Sequence, residues 1–216
     1  MEKREKLALF LGMLSGDGCL PIAHNGEGYR DYKICFCNTK KELVNLFSDL
    51  FLAIFSISGK VRYSDRKNKL RLFEFCKYSK EIYFKIKDMG FPEGVKKDIL
   101  RVLPIIKNGT KKEKLAFILG VLITDGSLRK RGDILFHLGS KLFLEDLSYL
   151  ISEFTGNRKK VVEYIQRKIY RSYQLNLNKL ETEKLLLDMP LCDNGTRPVL
   201  RTGFRKDIQV RFLAAA

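Results

Sequence analysis

The sequence predicts an α+β protein made of two pseudo-symmetric αββαββα halves with antiparallel sheets, and three observations lead there. The first is an internal repeat: residues 6–20 and 114–128 are near-copies in which Gly12 falls on Gly120, Asp17 on Asp125 and Gly18 on Gly126, each pair 108 residues apart. A period of half the chain means duplication of one unit, not a solenoid of short repeats. The second is that each copy opens the same alternation of helical and strand-like periodicity. The third is size, since 216 residues suffice for two small units sharing one interface. The halves are expected at 1–94 and 112–190, with a linker at 95–111 and a basic extension at 191–216.

Residues 3–16 read as a helix. Leu7, Phe10, Leu11 and Leu14 recur at helical spacing, and Leu9 and Met13 widen the stripe until the helix is apolar nearly all round. Gly12 costs about 1 kcal/mol against Ala inside a helix. It therefore needs a packing reason, which close approach of a second backbone supplies. Gly18 is expected to stop the helix with a positive φ. Strands follow at 19–23 and 29–37, then a helix to Phe55 with Thr39 and Glu42 as its capping box. Segments 58–64 and 69–75 read as a hairpin turned at 65–68, and 79–88 as a helix. Pro104 and Asn108-Gly109 mark the linker. The second half repeats the order: helix 112–124, strands 127–130 and 133–138, helix 140–154 capped by Ser140, strands 159–167 and 169–177, and helix 179–187 before Pro190.

Charge bounds the partner. A formal charge of +16 and a pI near 9.7, spread along the whole chain, suit a polyanion such as DNA or RNA. With 45% hydrophobic residues the chain has enough apolar surface to fold, which excludes a disordered basic tail. Five cysteines without a Cys-x-x-Cys pair, and only His24 and His137, give no zinc pattern; the thiols read as small buried or semi-buried residues in a reducing compartment. The first apolar run ends at Asp17, too short to span a bilayer, so the expected location is intracellular with no membrane partner. In the strands, polar residues alternate with apolar ones. One sheet face then carries the side chains that bond phosphates and base edges: Arg30, Lys33, Lys60, Arg62, Lys69 and Arg71 in the first half, and Arg129, Arg131, Tyr170, Ser172, Gln174 and Asn176 in the second.

The chemistry concentrates at two helix ends. Asp17 and Asp125 each stand at a helix C-terminus, where the macrodipole is already negative, so something positive is expected beside them. If Gly12 faces Gly120, pseudo-twofold symmetry brings the two carboxylates together, and a divalent cation between them relieves their repulsion. Mg²⁺ takes carboxylates, carbonyls, waters and phosphate oxygens, so the carbonyls of Gly16 and Thr124 are natural further ligands. Paired acids on a basic protein point to phosphodiester hydrolysis.

These two stretches, 10–18 and 118–126, resemble the namesake motifs of the LAGLIDADG homing endonucleases, and the αββαββα order of each half is similar to that family over about residues 3–188. The resemblance implies a pseudo-symmetric monomer whose sheets form a saddle on double-stranded DNA and which cuts across the minor groove to leave 3′ overhangs. Its target would be asymmetric and roughly 20 bp long, two half-sites one turn apart. The motif's metal-binding acids match Asp17 and Asp125, with Mg²⁺ or Mn²⁺ as cofactor and Ca²⁺ able to occupy the site without turnover. The sixth motif position, often acidic in the family, is Ser15 and Ile123. A water-ordering residue at the end of each half's second strand matches Asn38, and in the second half Leu138 or Gly139. A basic catalytic helper after each half's last helix matches Lys96 or Lys97, with Lys97 assigned, and Arg197. The same resemblance admits two other functions, an intron-RNA-binding splicing cofactor and a non-cleaving DNA-binding protein.

Overall fold

The structure is a computed structural model that describes residues 1–24, 30–64, 72–166 and 170–189. The first half runs α1 (Lys3–Asp17), β1 (Gly18–Cys19), β2 (Ala23–His24), β3 (Arg30–Asp31), β4 (Lys33–Asn38), α2 (Lys41–Phe55), β5 (Lys60–Ser64), β6 (Leu72–Tyr78) and α3 (Lys80–Asp88). A short α4 (Pro104–Lys107) lies between the halves. The second half runs α5 (Lys111–Asp125), β7 (Gly126–Leu128), β8 (Ile134–Leu138), α6 (Lys141–Thr155), β9 (Val162–Gln166), β10 (Tyr170–Leu177) and α7 (Lys179–Asp188).

The expected α+β class and antiparallel sheets are both present. One sheet has the order β1-β4-β6-β5 and the other β7-β8-β10-β9, while β2 and β3 pair separately. The ladders share one register: Gly18 stands opposite Phe36 as Gly126 stands opposite Phe136, and Phe36 opposite Phe75 as Phe136 opposite Leu175. Each inner sheet face packs on its own helices. Phe36 stacks on Phe47 of α2 at 4.4 Å, and Phe75 meets the same ring edge-on at 5.2 Å. Between the sheets α1 and α5 lie against each other along their length, each apolar all round because each is covered on all sides. One core therefore runs through both halves. Segment 95–111 belongs to it: Leu100, Val102, Leu103 and Ile106 are buried, Ser140 Oγ donates to the Leu100 carbonyl at 3.1 Å, and Arg101 grips Asp146 through two bonds of 2.7 Å.

Three local expectations change. Gly18 and Gly126 are extended, with φ of −93° and −87°, not left-handed. Glycine is required there by crowding, since a Cβ on Gly18 would lie 2.8 Å from the Leu14 carbonyl oxygen and one on Gly126 2.6 Å from that of Leu122. Thr39 does not cap α2; the helix starts at Lys41 after Lys40, and Asn38 Oδ1 turns the chain by accepting from Lys40 N at 2.8 Å. In the second half Ser140 does cap α6, accepting from Phe143 N at 3.2 Å. The opening strand shrinks to the two residues of β1. Lys69, Arg71, the 65–68 turn and the 191–216 extension with Arg197 lie outside the described residues. Among those described, no helix is long and apolar enough to cross a membrane.

Candidate active site

The site lies where α1 and α5 end side by side. Their backbones come that close because two glycines meet at the crossing. A Cβ on Gly12 would overlap the Phe117 carbonyl oxygen and stand 3.0 Å from Gly120 Cα, and one on Gly120 would lie 2.7 Å from Met13 N. One turn further on, a Cβ on Gly16 would lie 2.7 Å from Asp125 Oδ2. Asp17 and Asp125, the last residues of the two helices, thus share one end of the molecule.

Two acids at two negative helix ends need a cation, and Lys96 supplies one. Its ammonium lies among the carbonyl oxygens of Leu14 (3.2 Å), Ser15 (2.7 Å), Gly16 and Gly18 (2.7 Å), and so caps the end of α1, where Leu14 O also accepts from Gly18 N and the following carbonyls run out of helical donors. Asn38, at the end of β4, donates through Nδ2 to Asp17 Oδ2 at 2.6 Å. Burial pushes Asp125 up to about 7, with the Asp17 charge adding to the rise and Lys96 opposing it. Burial also raises Asp17, against the Asn38 hydrogen bond and the Lys96 charge. The same burial draws Lys96 down to about 8, against the pull of Asp125 and Asp17.

The two acids differ in their neighbours. Ladder register makes Leu138, opposite Tyr173, the counterpart of Asn38, opposite Phe73, and leucine has no donor for Asp125. A cleft of about 500 Å³ lies on that side, lined by Ser15, Gly16, Lys96, Lys97, Asp125, His137 and Ser172 among others. His137 Nε2 is 2.7 Å from Ser172 Oγ, which gives its only proton to the Tyr164 carbonyl. In either neutral tautomer one nitrogen of the ring is an acceptor. His137 did not figure in the sequence-based site.

The ammonium seated on the end of α1 is that of Lys96, while Lys97, the residue assigned from the sequence, lines the cleft beside Asp125. Lys97 runs beside Gly139, where a Cβ would meet its Cγ at 2.9 Å. On the outer sheet faces, Lys60 stands opposite Cys76 and Arg62 opposite Glu74. Lys33 pairs with Glu74 at 2.8 Å. Arg129 is held by Asp133 and Asn176, and Arg131 by Asp133 at 2.8 Å. Gln174 stands opposite His137 and Val162, with Leu175 and Leu177 buried on the other face. Arg30 and Tyr170 are strand residues whose side chains lie outside the description. The first sheet departs from the expected polar face: Cys35 and Cys76 are buried on it.

The donor set fits a hard divalent cation. Two carboxylates and the Gly16 and Thr124 carbonyls offer oxygen donors of the kind such a cation takes, and Gly16 O already accepts from the Lys96 ammonium. Among the described residues, no group of three or more His, Cys, Asp or Glu is placed to hold a metal. Mg²⁺ suits such a sparse site, because it uses one or two carboxylates and completes its shell with water and phosphate.

No protein-family profile matches the chain, and no curated protein matches it in sequence. Solved structures do. Mesophilic variants of the homing endonuclease I-DmoI superimpose with a TM-score of 0.67 at 18% identity, covering 87% of this chain and 97% of theirs. I-DmoI in complex with DNA and Ca also gives 0.67 at 18% identity, over 90% and 97%. The N-terminal LAGLIDADG domain of DUF199/WhiA gives 0.59 at 13% identity, over 88% and 83%. The chain therefore has the two-half LAGLIDADG fold that its paired motifs suggested, shared with a homing endonuclease and with the WhiA domain.

Proposed function

We propose that the protein is a metal-dependent endonuclease that cuts double-stranded DNA at a long asymmetric site. Because the WhiA domain has the same fold, the proposal rests on the site. The observation that carries it is the pair of half-buried carboxylates, Asp17 and Asp125, brought to one helix end beside the Lys96 ammonium. A protein that only bound DNA would gain nothing from two acids facing phosphate.

Asp17, Asp125 and the carbonyls of Gly16 and Thr124 would hold Mg²⁺ or Mn²⁺; I-DmoI has been solved with DNA and Mn. Bound there, the metal supplies an acidified water and stabilises the leaving oxygen. Asn38 orients the Asp17 carboxylate, and Lys96 brings positive charge to the phosphate. On the Asp125 side, His137 lines the cleft and offers its acceptor nitrogen to a water proton. The outer faces, with Lys60, Arg62, Arg129, Arg131, Ser172, Gln174 and Asn176, read the duplex as a saddle. Unlike residues at equivalent register positions, such as Glu74 and Gln174, make the two half-sites different.

The test is cleavage of a library of long duplexes in Mg²⁺ with the wild type, Asp17→Asn and Asp125→Asn. We expect cutting in the wild type alone, with DNA binding retained in all three. Cutting that survives in both variants overturns the site, and tight intron-RNA binding without cutting favours a splicing cofactor.

A further inference from the structure

Four of the five cysteines stand on the outer face of the first sheet or at its edge, and the proposed cleavage uses none of them. Phe36 and Phe75 point to α2, so Cys35, Cys37 and Cys76 point the other way. Cys19 is the cross-strand partner of Cys35, and Cys35 of Cys76, which makes a row of three thiols across β1, β4 and β6. The second sheet has Ser127, Leu135 and Asn176 at the same register positions. The row is therefore not a requirement of the fold.

Within it one pair stands out. Cys19 and Cys35 stand directly opposite each other on the same face, close enough that each thiol shifts the other's titration, and Lys33, two residues before Cys35 on β4, lies on that face too. Directly opposed residues of an antiparallel pair have Cα atoms about 4.5–5.5 Å apart, inside the roughly 4.4–6.8 Å that a disulfide spans. Cys19 is half-buried while Cys35 and Cys76 are buried, so an oxidant reaches Cys19 with Cys35 directly behind it.

We propose that Cys19 and Cys35 form a thiol–disulfide modification site, closed by a peroxide, and that its closure displaces Asp17. The Cys19 sulfur attacks one peroxide oxygen and the O–O bond breaks. The departing oxygen takes the thiol proton and leaves as water, and Cys19 becomes a sulfenic acid. The Cys35 sulfur then attacks the Cys19 sulfur, and the hydroxyl leaves with the Cys35 proton as a second water. Two thiols lose two electrons, and one peroxide becomes two waters.

Closure draws the sulfurs to about 2.05 Å. β1 is two residues long and begins at Gly18, already so close to Leu14 that a Cβ there would lie 2.8 Å from Leu14 Cα. With no slack on that side, the shift passes to Asp17 and to the Gly18 carbonyl that holds Lys96. This consequence rests on the cleavage reading, whereas the cross-link does not.

The experiment treats the full chain with hydrogen peroxide and maps peptides without reduction. A Cys19–Cys35 peptide pair lighter by two hydrogens, reversed by dithiothreitol, absent in Cys19→Ser and Cys35→Ala and kept in Cys76→Ser, is expected. No cross-link, or one to Cys76 or Cys192 instead, overturns the site. Calorimetry with Mn²⁺ on the cross-linked protein should show affinity about tenfold weaker, the scale of disturbing a ligand's support. Unchanged Mn²⁺ affinity overturns the coupling to Asp17. Cross-linking in a protein that cuts DNA in neither redox state overturns the cleavage reading and leaves the modification site standing.

Discussion

Replacing Gly120 by Ala tests whether the contact between α1 and α5 is backbone on backbone. The added Cβ would lie 2.7 Å from Met13 N and 2.9 Å from Gly12 C, where ordinary contact starts at 3.4 Å. None of these atoms can move without its helix, so relief requires the two helices to separate by about half an ångström or more, on the scale of those distances. Overpacking of a rigid site costs about 3 kcal/mol at the upper end of its usual range. Alanine returns about 1 kcal/mol of helix propensity. The net loss is then about 2 kcal/mol, which lowers the melting temperature of a chain this size by roughly 4–8 °C. Urea unfolding and a thermal melt in EDTA measure it. A variant as stable as the wild type, or more stable by the propensity term alone, would refute the tight crossing and with it the reason for the shared carboxylate end.

Other outcomes can be read with the same protein. Because Asp125 titrates near 7 when folded but near 4 when unfolded, the folded state binds the extra proton between those values. Its contribution to stability therefore falls as pH rises from about 4 to about 7; urea titrations in EDTA at pH 5 and pH 8 should show a steeper decline in the wild type than in Asp125→Asn, where the raised Asp17 remains. The same proton competes with metal, so Mn²⁺ affinity should climb about tenfold per pH unit below 7 and level off above it. Lys96→Met leaves the α1 carbonyls and both acids without their cation and should cost about 2–3 kcal/mol in EDTA; a melt unchanged by the substitution would contradict the cradle. Asn38→Leu copies the second half into the first and should slow cleavage by about 10–100-fold while the melting temperature holds within a few degrees; single-turnover assays decide it.

Apolar spacing made the fold legible. Leu7, Phe10, Leu11 and Leu14 announce α1 even though a helix buried on nearly all sides has little polar face to set off the period, and the repeat then announces α5. The pairing of Gly12 with Gly120 follows from the helix cost of two unexplained glycines. What stayed hidden depends on partners distant in sequence. Lys96 was indistinguishable from Lys97 until the Gly16 carbonyl, 80 residues earlier, was placed beside it. The thiol row exists only in the β1–β4–β6 pairing, and no spacing of 19, 35 and 76 reveals it. His137 was obscured because the repeat runs at 108 residues in the helices but at 100 in the ladder, where Phe136 answers Phe36. Thr39 is no cap because α2 begins one residue later than its spacing implied, with Lys40 at the N-cap position and Asn38 Oδ1 holding the Lys40 N–H.

The counter-ion of the first helix sits on neither half's repeated unit. Lys96 belongs to the crossing segment, which Leu100, Val102 and Leu103 bury and Arg101 ties to α6. Anyone recombining halves of such proteins to change their target would naturally cut at Gly90–Gly94, where the glycines turn the chain. A chimera joined there keeps α1 but inherits whatever residue the donor carries at position 96, so the junction that preserves the wiring falls after Leu103.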